Sequence, residues 1–134
     1  MSLHFLDSNI IMYVLGSAHP LKSPCVRTLE KIRTGKIRVC TSTEVLQEIL
    51  YRYYAIHRKE LAHQACELVE AIADPILPVS HHDLIRARNL LQLYPLPVRD
   101  AVHAATLLNH QIRHILSTDT HFDSIPEIQR VEPG

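Results

Sequence analysis

Residues 3–11 read Leu-His-Phe-Leu-Asp-Ser-Asn-Ile-Ile, and this stretch already indicates the fold. Its first four residues form a short apolar run that stops at Asp7, the pattern of a buried β-strand with a polar residue at its carboxyl end. Asp7 or Ser8 can then cap a short helix that ends at Gly16. A strand followed at once by a helix is the repeating unit of an α/β protein.

The same alternation continues along the chain. Further strands are predicted at residues 37–40, 76–79 and 115–118, and the segment that ends at Val131 is expected to add an edge strand. Helices are predicted between them, over residues 23–34, from Thr41, over 59–73, from Ser80 and over 100–109. We therefore expect a mainly parallel sheet of four to five strands with helices on both faces.

Local signals refine the helices. Capping boxes are predicted at Thr41–Glu44 and at Ser80–Asp83. Helical spacing of apolar residues predicts inward faces; the expected inward residues include Val26, Leu29, Ile32, Val45, Leu46, Ile49, Leu50, Tyr53, Tyr54, Leu84, Ala87 and Leu90.

Composition restricts the class of protein. The chain has 134 residues, of which 46% are hydrophobic, and we interpret residues 1–134 as a single domain with its own core. A formal net charge of zero argues against a polybasic nucleic-acid binder. It does not exclude a local basic rim on a nucleic-acid enzyme. Three cysteines without a CxxC spacing argue against a disulfide scaffold or a zinc ribbon. With no signal peptide and no long apolar run, we expect a cytoplasmic protein without a membrane segment.

Four acidic residues stand where such a sheet would concentrate them. Asp7 and Asp119 each follow a predicted strand, and open parallel sheets place their active sites beyond the carboxyl ends of the strands. Glu48 lies within an apolar helical stripe, and Asp100 opens an alanine-rich helix. The alternative is that the aspartates are helix caps and that Glu48 is a solvated helix residue.

The chemistry of a converging cluster follows from charge repulsion. Two carboxylates about 4 Å apart repel by about 4 kcal/mol at an effective dielectric constant near 20. Such a cluster needs cations or must bind protons, and a set of oxygen ligands selects Mg²⁺ or Mn²⁺ over zinc. Divalent ions held in this way suit hydrolysis of a phosphodiester.

Four segments carrying these acids resemble the motifs of PIN-domain ribonucleases, at family order and spacing. They are residues 5–11 (Phe-Leu-Asp-Ser-Asn-Ile-Ile), 42–49 (Ser-Thr-Glu-Val-Leu-Gln-Glu-Ile), 99–105 (Arg-Asp-Ala-Val-His-Ala-Ala) and 117–123 (Ser-Thr-Asp-Thr-His-Phe-Asp). The resemblance covers the whole chain and implies a three-layer α/β/α fold. Chains of this size look like the VapC-type toxins of toxin–antitoxin pairs.

The resemblance also implies roles for individual residues. One or two Mg²⁺ or Mn²⁺ ions would be held by the four catalytic acids Asp7, Glu48, Asp100 and Asp119. Asn9 and Thr118 match polar positions that orient an acidic ligand or a water. Asp123 is a candidate fifth acid, and a cap for the following segment is the alternative.

The function implied by the resemblance is endonucleolytic cleavage of RNA by metal-activated water, in a toxin that an antitoxin protein restrains. A homodimer is expected because the helix predicted from Thr41, which carries Tyr51, Tyr53 and Tyr54, is amphipathic. One alternative is a catalytically silent PIN-like module that binds RNA or protein. Another, an aspartyl phosphatase, ranks last because Asn9 stands where that chemistry needs a second acid.

Arg99, His103 and three tyrosines each have alternative interpretations. Arg99 either contacts phosphate or pairs with a carboxylate. His103 is expected to be an ordinary polar helix residue rather than a catalytic one. Tyr51, Tyr53 and Tyr54 could stack on RNA bases, but a core or dimer face is favoured for them.

Overall fold

The computed structural model describes residues 2–134 and contains one five-stranded sheet, all of whose strands run parallel. The strands are β1 (Leu3–Leu6), β2 (Arg38–Ser42), β3 (Ala73–Leu77), β4 (His114–Leu116) and β5 (Gln129–Val131). The helices are α1 (Ser8–Leu15), α2 (Lys22–Arg33), α3 (Thr43–Ala55), α4 (Lys59–Ile72), α5 (His81–Leu93) and α6 (Val98–Asn109), with a 3₁₀ turn over Thr120–Ser124. The predicted three-layer α/β/α fold is confirmed.

The order of the strands decides where a site can form. The sheet has the strand order β3-β2-β1-β4-β5. The chain therefore adds β2 and β3 on one side of β1 and then β4 and β5 on the other side. Because crossovers between parallel strands are right-handed, α1–α4 cover one face and α5 and α6 the other. The direction reverses between β1 and β4, which is the crevice where open α/β sheets bind ligands.

The core lies on both faces of the two central strands. Phe5 and Leu6 of β1 and Ile115 of β4 are fully buried. The helix α6 is buried along nine consecutive residues, from Asp100 to Leu108, and it packs most extensively against α5. A buried helix of this kind holds its polar side chains in fixed positions, including any that face the crevice.

Some local predictions were wrong. The N-cap of α3 is Ser42, whose hydroxyl accepts a hydrogen bond from the Val45 N–H, while the hydroxyl of Thr41 donates to the carbonyl of Leu6 in β1. Four residues expected to face inward are partly exposed; they are Val26, Leu50, Tyr54 and Leu84. The capping box at Ser80 and Asp83 is present as predicted.

Candidate active site

All four predicted acids lie at the carboxyl edge of the sheet, around one pocket of about 230 Å³. Asp7 directly follows β1 and caps α1, and Asp119 follows β4 and caps the 3₁₀ turn. Glu48 extends from α3 and Asp100 from the first turn of α6. The pocket is lined by Asp7, Ser8, Asn9, Tyr13, Glu48, Arg52, Asp100, Thr118 and Asp119.

The possible ligand atoms form two groups. One atom each from Asp7, Glu48 and His103 lie within 4.8 Å of one another, and all three residues are buried. Asp100, Asp119 and His121 form a second, more exposed group with the same spacing. Each group combines two carboxylates with one imidazole, and both face the crevice between β1 and β4.

Asp7 is held rigidly by neighbours that donate hydrogen bonds. Its carboxylate accepts from the Ser8 N–H at 2.7 Å, from the Ser117 hydroxyl at 2.7 Å and from the Asn9 amide at 3.2 Å. Burial nevertheless raises the pKa of Asp7 above its usual value, and the charge of Glu48 adds to the increase. The carboxylate is thus oriented toward the pocket, and its charged form is disfavoured by burial.

Glu48 is the most strongly paired acid of the site. Its Oε1 accepts from the Ser8 hydroxyl at 2.8 Å and from His103 Nε2 at 3.2 Å, and its Oε2 lies 3.1 Å from Arg52. Burial alone would raise the pKa of Glu48, but the hydrogen bond and charge of His103 outweigh it and bring the pKa to about 2. Glu48 is therefore ionised under all ordinary conditions.

Asp100 and Asp119 compete for one proton. Burial, followed by the hydrogen bond and charge of Asp119, raises the pKa of Asp100 to about 7. Burial acts in the same direction on Asp119, but its hydrogen bond from the His121 N–H and its contacts with Asp100 lower its pKa overall. His121 Nδ1 lies 3.1 Å from Asp100 and 2.6 Å from Asp119, and these contacts raise the pKa of His121. A cation in this position would displace the proton.

The residues expected to orient the acids differ in how they do so. Asn9 contacts Asp7 directly, whereas Thr118 contributes its backbone N–H, which donates to the Asn9 side chain at 3.2 Å. Asp123 lies outside both ligand groups, because its carboxylate forms an ion pair with Arg130 at 2.9 Å instead of meeting the other acids. Arg99 pairs with carboxylates, at 3.6 Å from both Glu44 and Glu48.

Sequence reasoning gave no role in the site to Ser8, Arg52, Ser117 or His121. His103, expected to be an ordinary polar helix residue, is fully buried between Asp7 and Glu48. Its place three residues after Asp100, on the same helix face, indicated that it could approach the site. No comparable signal marks the two serines, since short hydroxyl side chains at strand ends are common in any fold.

Comparisons with known proteins agree with this geometry. The PIN domain family model matches residues 4–128. Ribonuclease VapC13 of Mycobacterium tuberculosis is 42% identical over 127 residues, which are 94% of this chain and 97% of that protein. The chain therefore belongs to the PIN domain family, as the four motifs predicted. Within that family, its similarity over nearly the full length places it among the VapC ribonucleases.

Solved structures share the fold at lower sequence identity. VapBC2 from Rickettsia felis, bound to a DNA fragment from its promoter, matches with a TM-score of 0.75 and 16% identity over 98% of this chain and 99% of that one. VapC20 of Mycobacterium tuberculosis, described as a sarcin-ricin loop cleaving toxin, also has a TM-score of 0.75, with 15% identity over 93% of this chain and 95% of that one. At such identities the likeness concerns the fold alone.

Proposed function

We propose that this chain, acting as a single PIN-like domain, is a Mg²⁺- or Mn²⁺-dependent endoribonuclease and the toxin of a type II toxin–antitoxin pair. The observation that carries the proposal is the convergence of Asp7, Glu48, Asp100 and Asp119 on one pocket at the crevice between β1 and β4. The family relationship adds the substrate class, since the relatives are named ribonucleases.

The donor set fits a hard divalent cation. Carboxylate oxygens dominate the pocket, and burial, followed by the charges of neighbouring acids, raises the pKa values of Asp7 and Asp100. We assign Asp7, Glu48, Asp100 and Asp119 as the residues that would hold one or two ions, Asp7 and Glu48 in the buried ligand group and Asp100 and Asp119 in the more exposed one. When bound, such an ion lowers the pKa of a water molecule and neutralises the phosphate being attacked.

The protein's own residues then hold and orient the reacting groups. Ser8, Asn9 and Ser117 fix the Asp7 carboxylate by the three hydrogen bonds described above. His121 bridges Asp100 and Asp119 at the open side of the pocket, where it can accept a proton or release one. Arg52 at the rim offers a positive charge to the incoming phosphate.

Partners follow from the family and from the surface. We propose an antitoxin protein as the regulator, in line with the VapBC complexes among the structural neighbours, and a cytoplasmic location, where the RNA substrate is found. A homodimer is proposed because large apolar side chains are exposed, among them Leu93 at 70% and Val98 at 66%. Within residues 2–134 no helix has the length and apolar character needed to cross a bilayer.

The proposed activity is tested by incubating the purified protein with a mixed RNA pool in Mg²⁺, in Mn²⁺ and in EDTA. We expect cleavage with either ion and none in EDTA, because the acids alone cannot neutralise the phosphate. Products should carry a 5′-phosphate and a 3′-hydroxyl. Cleavage that continues in EDTA would contradict the assigned chemistry, and a protein that neither cleaves nor binds the ions would instead be a silent PIN-like module.

Metal binding should depend on pH in a defined direction. The pKa of Asp100 is raised to about 7, so below pH 7 a proton occupies the carboxylate that the cation needs. We expect the affinity for Mn²⁺, measured by isothermal titration calorimetry, to weaken about fivefold from pH 7 to pH 6 and to level off above pH 8. Asp123→Asn, which changes an acid outside the ligand groups, should keep this profile. Equal affinities at pH 6 and pH 8 would contradict the assignment.

A further inference from the structure

A second cavity adjoins the candidate active site and has no role in the proposed chemistry. It is a groove of about 490 Å³ lined by Gln47, Leu50, Tyr51, Tyr54, His63 and Arg99. Of the three tyrosines that were expected to form a core or dimer face, Tyr53 is buried, but Tyr51 is 66% exposed and Tyr54 42% exposed. The core interpretation is therefore wrong for the two tyrosines that line the groove, whereas a dimer face stays a prediction.

Two arginines connect the groove to the active site. Arg52 lines the catalytic pocket and Arg99 lines the groove, and both guanidinium groups approach Oε2 of the buried Glu48, at 3.1 Å and 3.6 Å respectively. Arg99 lies 3.6 Å from Glu44 as well, and at this separation both contacts are ion pairs and not hydrogen bonds, so within residues 2–134 its N–H donors can still turn to another acceptor. Glu48 thus anchors two positive charges at the boundary between the cavities.

Tyr51 and Arg99 form an aromatic and cationic pair. The guanidinium carbon of Arg99 lies over the Tyr51 ring, 5.5 Å from its centroid. The other tyrosine of the groove, Tyr54, has its hydroxyl 2.9 Å from His63 Nε2, and this hydrogen bond holds the Tyr54 ring in place. An exposed aromatic face beside free guanidinium donors is the combination that binds an unpaired nucleotide, by stacking on its base and by pairing with its phosphate.

Binding of an RNA strand requires a local cationic contact, because the net charge of the chain does not attract it. The chain has a formal net charge of zero, and its catalytic pocket is acidic, so no general field attracts a polyanion. Arg52 lines this acidic pocket and Arg99 lines the tyrosine groove, so positive charge lies on both sides of Glu48. A single RNA strand can therefore pass from the pocket to the groove with its backbone on the arginines.

We propose that Tyr51, Arg99 and Arg52 form a nucleotide-binding subsite for single-stranded RNA next to the scissile phosphate. The two guanidinium groups bind the adjacent phosphate, and the Tyr51 ring stacks on the base. This inference rests on the proposed function, because it takes RNA as the substrate. It adds that a nucleotide flanking the cut is recognised by stacking, which tolerates any base but requires that base to be unpaired.

The test is RNA binding measured separately from cleavage. In the full-length Asp7→Asn background without metal, the probe is a labelled oligouridylate of about eight nucleotides, followed by fluorescence anisotropy. We expect Tyr51→Ala to weaken binding about tenfold and Tyr51→Phe to keep it within about twofold, because the ring and not the hydroxyl stacks. Arg99→Ala should weaken binding and reduce the slope of log Kd against log salt by about one.

The control is Ile56→Ala, which removes an equally exposed apolar side chain at the end of α3 but outside the groove, and it should bind as the parent does. Equal affinities of Tyr51→Ala and Tyr51→Phe, or no binding by the parent, would overturn the subsite. So would a change in molar mass of Tyr51→Ala by light scattering, because a second copy of the chain would then cover this face. Wild-type cleavage reports separately on the proposed function.

Discussion

Replacing Asp7 by Asn is expected to lower the rate of RNA cleavage about a thousandfold while the protein stays folded. A metal ligand supports several kcal/mol of transition-state charge stabilisation, and about 4 kcal/mol corresponds to this factor. The fold should survive because Asn is also a good N-cap: its carbonyl can still accept from the Ser8 N–H, and the Ser117 hydroxyl can turn to accept from the new amide. The change also removes part of the repulsion that raises the pKa of Asp100.

The measurement is single-turnover cleavage of one mapped RNA, with circular dichroism to compare thermal unfolding. Asp100→Asn should lose activity to a similar degree. Asp123→Asn serves as the matched control, since its carboxylate pairs with Arg130 away from the pocket, and it should retain wild-type cleavage. Cleavage by Asp7→Asn within tenfold of wild type would refute the assignment of Asp7 as a metal ligand.

Replacing His103 by Ala is expected to destabilise the protein by about 3 kcal/mol, because it breaks a buried pair and leaves Glu48 with one partner fewer. His103 is fully buried, its Nε2 contacts Glu48 at 3.2 Å, and its ring packs against Phe5. Its Nδ1 has no hydrogen-bond partner among residues 2–134, and its Nε2 donates to Glu48, because an ionised carboxylate can only accept. The loss therefore falls on the contacts of Nε2 with Glu48 and Asp7 and on the space left by the ring.

Urea unfolding at pH 7 measures this change. His82→Ala provides the control, because His82 is exposed at the start of α5 and its removal should shift stability by less than about 0.5 kcal/mol. His103→Gln should recover part of the loss, since the amide can donate to Glu48 again. If His103→Ala unfolds at the same urea concentration as His82→Ala, the buried pair does not support the fold.

The sequence predicted the sheet and the acids because both have periodic or positional signals. Apolar runs that end in Asp7 and Asp119 mark strands and their carboxyl ends together, and parallel strands necessarily bring those ends to one edge. The inward position of Glu48 followed from the apolar residues on either side of it. Such signals are local in the chain, and so single-sequence reasoning can find them.

Contacts between distant residues could not be predicted in the same way. The bond from Ser8 to Glu48 spans 40 residues and that from Ser117 to Asp7 spans 110, and both depend on strand order. The α3 cap was assigned to Thr41 instead of Ser42 because either hydroxyl suits a cap. Only the pairing of β2 with β1 puts Thr41 within reach of the Leu6 carbonyl and leaves the next residue free to cap.

The return of the chain to the far side of β1 has a consequence for synthesis. Asp7 is translated before the strands β2, β3 and β4, but the hydroxyl that orients it belongs to Ser117, and Asp119 follows still later. A nascent chain that ends before β4 has the strands β1–β3 and lacks half of the crevice. The proposed ribonuclease is therefore inactive until β4 and the residues that follow it have emerged, and the messenger being read is not exposed to its activity before then.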